Sequence, residues 1–130
     1  MAMPRPPWTA IVGTPALALA LVGCEVGDRP LPHDTASKQR IEHGRLLLAQ
    51  YQCGSCHAIP EVDAAQGTTG PNLVAFGKRS YIAGQHPNQP DNLVRWIIDP
   101  AALVPATKMP AMGVSPDDAR DMAAYLLALK

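Results

Sequence analysis

An all-α domain of three to five short helices is the fold class that the sequence predicts for residues 37–130, on three observations. Apolar residues recur at helical spacing in three separate segments, near Ser37–Tyr51, Asp91–Ile98 and Ser115–Leu129. Proline and glycine interrupt the stretches between them. No strand pattern or internal repeat competes with the helices.

The chain ahead of that domain reads as an export and anchoring segment. Arg5 gives a positive start, and Ala10–Val22 is an apolar run of 13 residues, suited to the core of a secretory signal and short for a bilayer span. Leu21-Val22-Gly23-Cys24 resembles the lipobox of bacterial lipoproteins. That makes residues 1–23 a lipoprotein signal peptide and places a diacylglyceryl group on the sulfur of Cys24. An ordinary signal peptide is the plainer alternative, but it leaves an unpaired thiol in an exported protein. Residues 24–36 follow as the lipidated cysteine and a flexible tether, with Pro30, Pro32, several charges and no apolar periodicity. Such a tether has an r.m.s. span of roughly 20 Å. His33 on it is a solvated residue.

Ser37 is a plausible cap for the first helix, which carries Ile41, Gly44, Leu48 and Tyr51 on one stripe, widened by Leu46 and Leu47. His43 belongs to its surface. Beyond it lies Cys53-Gly54-Ser55-Cys56-His57, the haem attachment signature: two thiols at this spacing add across the two vinyl groups of one haem, and the adjacent imidazole becomes an iron ligand. Competing uses are a redox dithiol, half of a zinc site, or a small-loop disulfide. A thioredoxin-like dithiol needs a strand and helix around it, and neither is visible. Zinc needs two further ligands at similar spacing, whereas the other cysteine is Cys24 and the other histidines are the scattered His33, His43 and His86.

Ala58-Ile59-Pro60 ends the attachment segment, and Gly67-Thr68-Thr69-Gly70 is a flexible loop before the turn proline Pro71. Asp91 or Asn92 caps a helix with Leu93, Trp96 and Ile97 on one face, ended by Asp99-Pro100. In Pro105-Ala106-Thr107-Lys108-Met109-Pro110, Met109 is held on a stiff, non-helical backbone and supplies a thioether as second iron ligand. A lone methionine is more often core filler. Met112 is the nearby alternative, and Met109 is preferred. Ser115-Pro116-Asp117-Asp118 then starts the last helix with a cap, a first-turn proline and acids at the positive dipole end. Ala119, Met122, Ala123, Leu126, Leu127 and Leu129 make its buried face.

From Ser37 to Lys130 the chain resembles a class I cytochrome c. The attachment motif, Gly70-Pro71-Asn72-Leu73, Asn92 to Pro100, Thr107-Lys108-Met109-Pro110 and Ala124-Tyr125-Leu126 recur in the family's order. The resemblance implies the cytochrome c fold: helices wrapped around one haem c, covalently bound through Cys53 and Cys56, with its iron ligated by His57 and Met109. It also implies that the Pro71 carbonyl accepts a hydrogen bond from the other ring nitrogen of His57, which fixes the tautomer. Lys78, Arg79 and Tyr81 become candidates for hydrogen bonds to the haem propionates, with no choice between the two cations. Trp96 is implied to line the haem pocket beside the methionine; as an ordinary core aromatic it would differ little. Gly44 is the candidate for the close crossing of the first and last helices, with Tyr125 at the same contact, although Gly44 sits one residue further from Cys53 than in most of the family. His86 ranks as a remote alternative iron ligand.

Two protein ligands on one iron leave no position for a substrate, so the expected function is one-electron exchange through an exposed haem edge. The protein is therefore read as an electron carrier and not an enzyme, with a fairly high potential from histidine and methionine together. Removing residues 1–23 takes one of the 11 basic side chains and none of the 11 acidic ones, leaving 10 and 11 in a chain of 107 residues. That balance shows no basic run for nucleic acid and no positive stripe for an anionic membrane surface. Only six aromatic residues occur, with Trp8 in the signal, so haem is expected to supply much of the apolar interior. A lysine ring for long-range steering is missing, since only Lys108 adjoins Met109. A lipid anchor compensates by confinement. The expected partners are membrane-bound redox proteins, first a haem-copper terminal oxidase, met by a monomer anchored to a bacterial cell membrane with its domain in the periplasm or at the outer surface. The alternatives are an electron-entry subunit of a larger oxidoreductase complex and a haem gas sensor. The sensor requires a weak methionine bond, and carbon monoxide binding would reveal it.

Overall fold

The computed structural model describes Met1 and residues 36–130. The expected signal peptide, Cys24 and the tether up to Thr35 lie outside the described residues. Four helices follow in order: α1 (Lys38–Gln50), α2 (Pro90–Ile98), α3 (Pro100–Leu103) and α4 (Pro116–Ala128). Single 3₁₀ turns at Cys53–Ser55 and Phe76–Lys78 and a two-stranded hairpin, β1 (Tyr81–Ile82) with β2 (His86–Pro87), fill the long connection between α1 and α2. The architecture is mostly helical, as the sequence predicts.

Both long helices start on a serine whose hydroxyl accepts an otherwise orphaned amide: Ser37 from Arg40 at 3.3 Å and Ser115 from Asp118 at 3.2 Å. Helix α1 ends where Gln52 takes a left-handed backbone, φ 56°, which turns the chain into the attachment segment. Helix α2 departs from expectation at its start. Gln89 precedes it without a side-chain cap, Pro90 occupies the first turn, and Asp91 lies inside the helix where it meets the positive dipole end. Helix α3 is a further element that the sequence reading did not foresee. Asp99 and Pro100 end α2 and at once start α3, with the Asp99 carboxylate accepting from the Ala102 amide at 3.2 Å. The hairpin turns through positive φ at Ala83 and Gly84, a mirror-image turn that matches strand twist.

Helices α1 and α4 cross at Gly44. A Cβ there would lie 1.9 Å from the Asp121 carbonyl oxygen, so only glycine permits this approach. The offset from the family's usual spacing therefore does not displace Gly44 from the crossing. Around it Tyr51 donates to Asp118 at 2.8 Å, and Arg40 and His43 meet Asp121 at 2.7 and 2.8 Å. The core joins Leu47 and Leu48 of α1, Leu93 and Ile97 of α2, and Ala119, Met122, Ala123, Tyr125, Leu126 and Leu127 of α4. Leu129 is only partly buried, and Leu46 is exposed. No helix among the described residues is long and apolar enough to cross a membrane.

Candidate haem site

The attachment segment leaves α1 through the left-handed Gln52 and closes on itself, with the Cys56 and His57 amides both donating to the Cys53 carbonyl, at 3.3 and 3.1 Å. This short turn presents two free, half-buried thiols, at positions 53 and 56, with the imidazole next to the second at 57. Burial pushes the Cys53 thiol above its ordinary pKa, and the neighbouring Cys56 adds to the effect. Cys53 is thus a neutral S–H at neutral pH. Among the described residues no group of three or more His, Cys, Asp and Glu is arranged to hold a metal ion.

His57 places Nδ1 at 2.7 Å from the Pro71 carbonyl oxygen. That oxygen only accepts, so Nδ1 must carry the hydrogen, and in the neutral imidazole Nε2 then carries the lone pair. A neutral imidazole in this tautomer is a ready iron ligand through Nε2. The ring lies flat against Gly70, where a Cβ would stand 2.4 Å from the His57 Cε1 carbon. Gly70 in turn donates its amide to Cys56 at 2.8 Å, and Leu73 to Ala58 at 2.8 Å, so the Gly70–Leu73 strip is laced to the attachment segment.

The remaining predicted residues are spread over several elements. Arg79 follows the second 3₁₀ turn; its guanidinium donates to the Asn72 carbonyl, approaches Val74 O at 3.5 Å, and lies 5.3 Å from the centre of the Phe76 ring. Lys78 beside it is exposed. Tyr81 on β1 is exposed, and Trp96 on α2 is partly buried against the core. Met109 is half-buried on the loop before α4, with its amide on the Thr107 hydroxyl at 3.2 Å, whereas Met112 is exposed. No hydrogen bond among the described residues ties Tyr81, Trp96 or Met109 to His57. His86 places Nε2 at 3.2 Å from the Leu103 carbonyl, where it braces the hairpin against α3.

Sequence reasoning passed over Asn72 and Asn88. Asn72 accepts from Arg79 through its carbonyl and from the Val74 amide through its side chain at 2.8 Å, a turn for which its place after Pro71 was a usable signal. Asn88 is buried and gives Nδ2 to the Phe76 and Arg79 carbonyls. In a Pro-rich loop it offered no signal.

These donors fit a covalently held haem: two unpaired thiols, one imidazole with a free Nε2, and a glycine cradle that keeps that imidazole in one orientation. A helical domain with this single attachment segment defines a c-type cytochrome. The chain belongs to the cytochrome c family, whose model, described as Cytochrome c, matches residues 41–130. Such a domain carries electrons on covalently bound haem c and its iron. The chain is also similar to the cytochrome c oxidase subunit 2 of Alkalihalophilus pseudofirmus, 36% identical over 100 residues that cover 76% of this chain and 27% of that one. Subunit 2 of the Bacillus subtilis oxidase is 35% identical over 77 residues, 58% of this chain and 22% of the relative. The match thus spans about a quarter of the length of these curated relatives.

Proposed function

We propose that the protein is a membrane-tethered monohaem cytochrome that carries single electrons to a terminal oxidase of a respiratory chain. Cys53 and Cys56 would hold the haem through thioether bonds to its two vinyl groups. His57 would ligate the iron through Nε2, with Met109 as the second ligand. The bound haem supplies reversible one-electron exchange between ferric and ferrous iron. Every other task falls to the chain. The Pro71 carbonyl fixes the His57 tautomer and raises its basicity. Lys78, Arg79 and Tyr81 are the candidates to hydrogen-bond the haem propionates, and Trp96 lines the pocket on the methionine side.

The single observation that carries this reading is the His57 Nδ1 bond to Pro71 O at 2.7 Å beside two free thiols, because it leaves one oriented lone pair where a haem would be attached. The oxidase is favoured by the relatives, which are named as subunits of such an enzyme. Anchoring rests on the lipobox at Cys24, which lies outside the described residues. The relatives' description as oxidase subunits also supports a second reading, an electron-entry subunit within a larger oxidoreductase complex; co-purification of a stable complex after mild detergent extraction separates it from a free carrier.

The ligand assignment is tested by Met109→Ala, which should abolish the long-wavelength sulfur-to-iron band, lower the potential and open the iron to carbon monoxide. Retention of the band there, with its loss in Met112→Ala, assigns the other methionine. The partner is tested by oxygen consumption in oxidase-containing membranes given the reduced tethered protein or its Cys24→Ser variant. Failure of the tethered form to be oxidised rules out the oxidase.

A further inference from the structure

Asn88 is a buried polar residue, 8% exposed. Its main-chain amide donates to the Ser80 carbonyl at 2.9 Å, and its Nδ2 donates to the carbonyls of Phe76 and Arg79 at 3.0 Å each. Both Nδ2 partners can only accept, so the amide cannot be reversed. Its Oδ1 is buried with no donor among the described residues. What the side chain contributes here is therefore its two donated bonds, and three carbonyls of one turn are tied to one residue.

From that turn the Arg79 guanidinium reaches back to the Asn72 carbonyl, over the Phe76 ring. Asn72 follows Pro71 directly, and its own side chain closes the next turn on the Val74 amide at 2.8 Å. The neighbouring Pro71 carbonyl receives the His57 Nδ1–H. Two adjacent carbonyls are thus held, one by the histidine and one by the arginine. Each link from Asn88 to His57 is a hydrogen bond or a short run of main chain.

We propose that Asn88 is a positioning residue for the iron ligand: by clamping the turn that aims Arg79 at Asn72, it sets the strength of the His57–Pro71 bond and through it the reduction potential. The inference rests on His57 as the iron ligand. A stronger Nδ1–H bond makes Nε2 a better donor, which favours ferric iron and lowers the potential. Slackening the clamp does the opposite.

The test uses the haem-loaded full chain with Asn88→Leu, Arg79→Lys and the double variant. Proton NMR of the reduced protein follows exchange of the His57 Nδ1 hydrogen with solvent, and a redox titration gives the midpoint. Exchange should accelerate about tenfold in either single variant. The ferrous form should gain about threefold over the ferric, an upward shift of about 30 mV for a one-electron couple. The double variant should match the singles, because both changes cut one path. A lowered Tm with unchanged exchange and potential assigns Asn88 to packing alone and overturns the proposal, as do additive shifts in the double variant. Where Asn88→Leu yields no holoprotein, Asn88→Ala, which removes the same two donated bonds, decides by the same two readings. If the unaltered protein shows no haem-shifted His57 resonance, the ligand reading itself fails, an outcome distinct from a shifted resonance that ignores Asn88.

Discussion

The crossing of α1 and α4 and the loop from Cys53 to Arg79 are held together by different forces. At the crossing, backbones touch at Gly44, and Leu47, Leu48, Met122, Ala123, Leu126 and Leu127 bury apolar surface around the contact. The loop buries Ile59, Val62, Leu73 and Phe76, but its course is set by polar main-chain contacts and by left-handed backbone at Gln52, Glu61, Ala64 and Ala75. Those contacts converge on the strip of carbonyls beside His57. Stability therefore resides mainly in the first region and ligand geometry in the second, so a change in one should be separable from a change in the other.

The sharpest way to break this division is Gly44→Ala. The new methyl meets main chain at 1.9 Å and the helices must part, so we expect a loss of roughly 3 kcal/mol in denaturant unfolding, with the haem spectrum of the folded fraction unchanged. Gly70→Ala is the mirror experiment. Its methyl meets the His57 ring, which can swing; about 1–2 kcal/mol should be lost, while the absorption spectrum and midpoint potential both move. Equal spectral effects from the two variants would erase the distinction.

Tyr125 links the regions, since its hydroxyl donates to the Pro60 carbonyl of the loop. Tyr125→Phe should cost about 1 kcal/mol in thermal unfolding and leave the potential in place. Asp121 gives a pH signature to the crossing alone. Burial raises its carboxyl pKa, but the hydrogen bonds from His43 and Arg40 outweigh this and hold it below the usual value. A carboxylate depressed in the folded state contributes stability above its unfolded value, about 3.9, and loses it as pH falls through the lower folded value. Unfolding curves should show that acid loss, and Asp121→Asn should flatten it. The smallest effect is expected for Arg120→Ala, which removes an exposed pair with Asp117 and should change stability by no more than about 0.5 kcal/mol.

Much of this division was legible in the sequence where signals are local. Ser37 and Ser115 announced both long helices, and the spacing of Cys53, Cys56 and His57 announced the chemistry. The hairpin was not legible, because strands of two residues are too short for alternation to register. Helix α3 was hidden because Asp99-Pro100 is both a stop signal and a start signal. The residues alone left Lys78 and Arg79 alike, whereas in the folded chain Arg79 engages Asn72 and Lys78 is exposed.

By itself, then, the sequence determined the caps, the attachment spacing and the two helical faces that pack, since each depends on groups within a few residues of one another. Tertiary structure alone decided which His57 nitrogen bears the hydrogen, that Gly44 fits against Asp121 despite its shifted position, and that Asn88 spends both its donors on one turn. The reason is reach: a ring nitrogen, a missing Cβ and a buried amide acquire their meaning from partners that adjoin them only after folding.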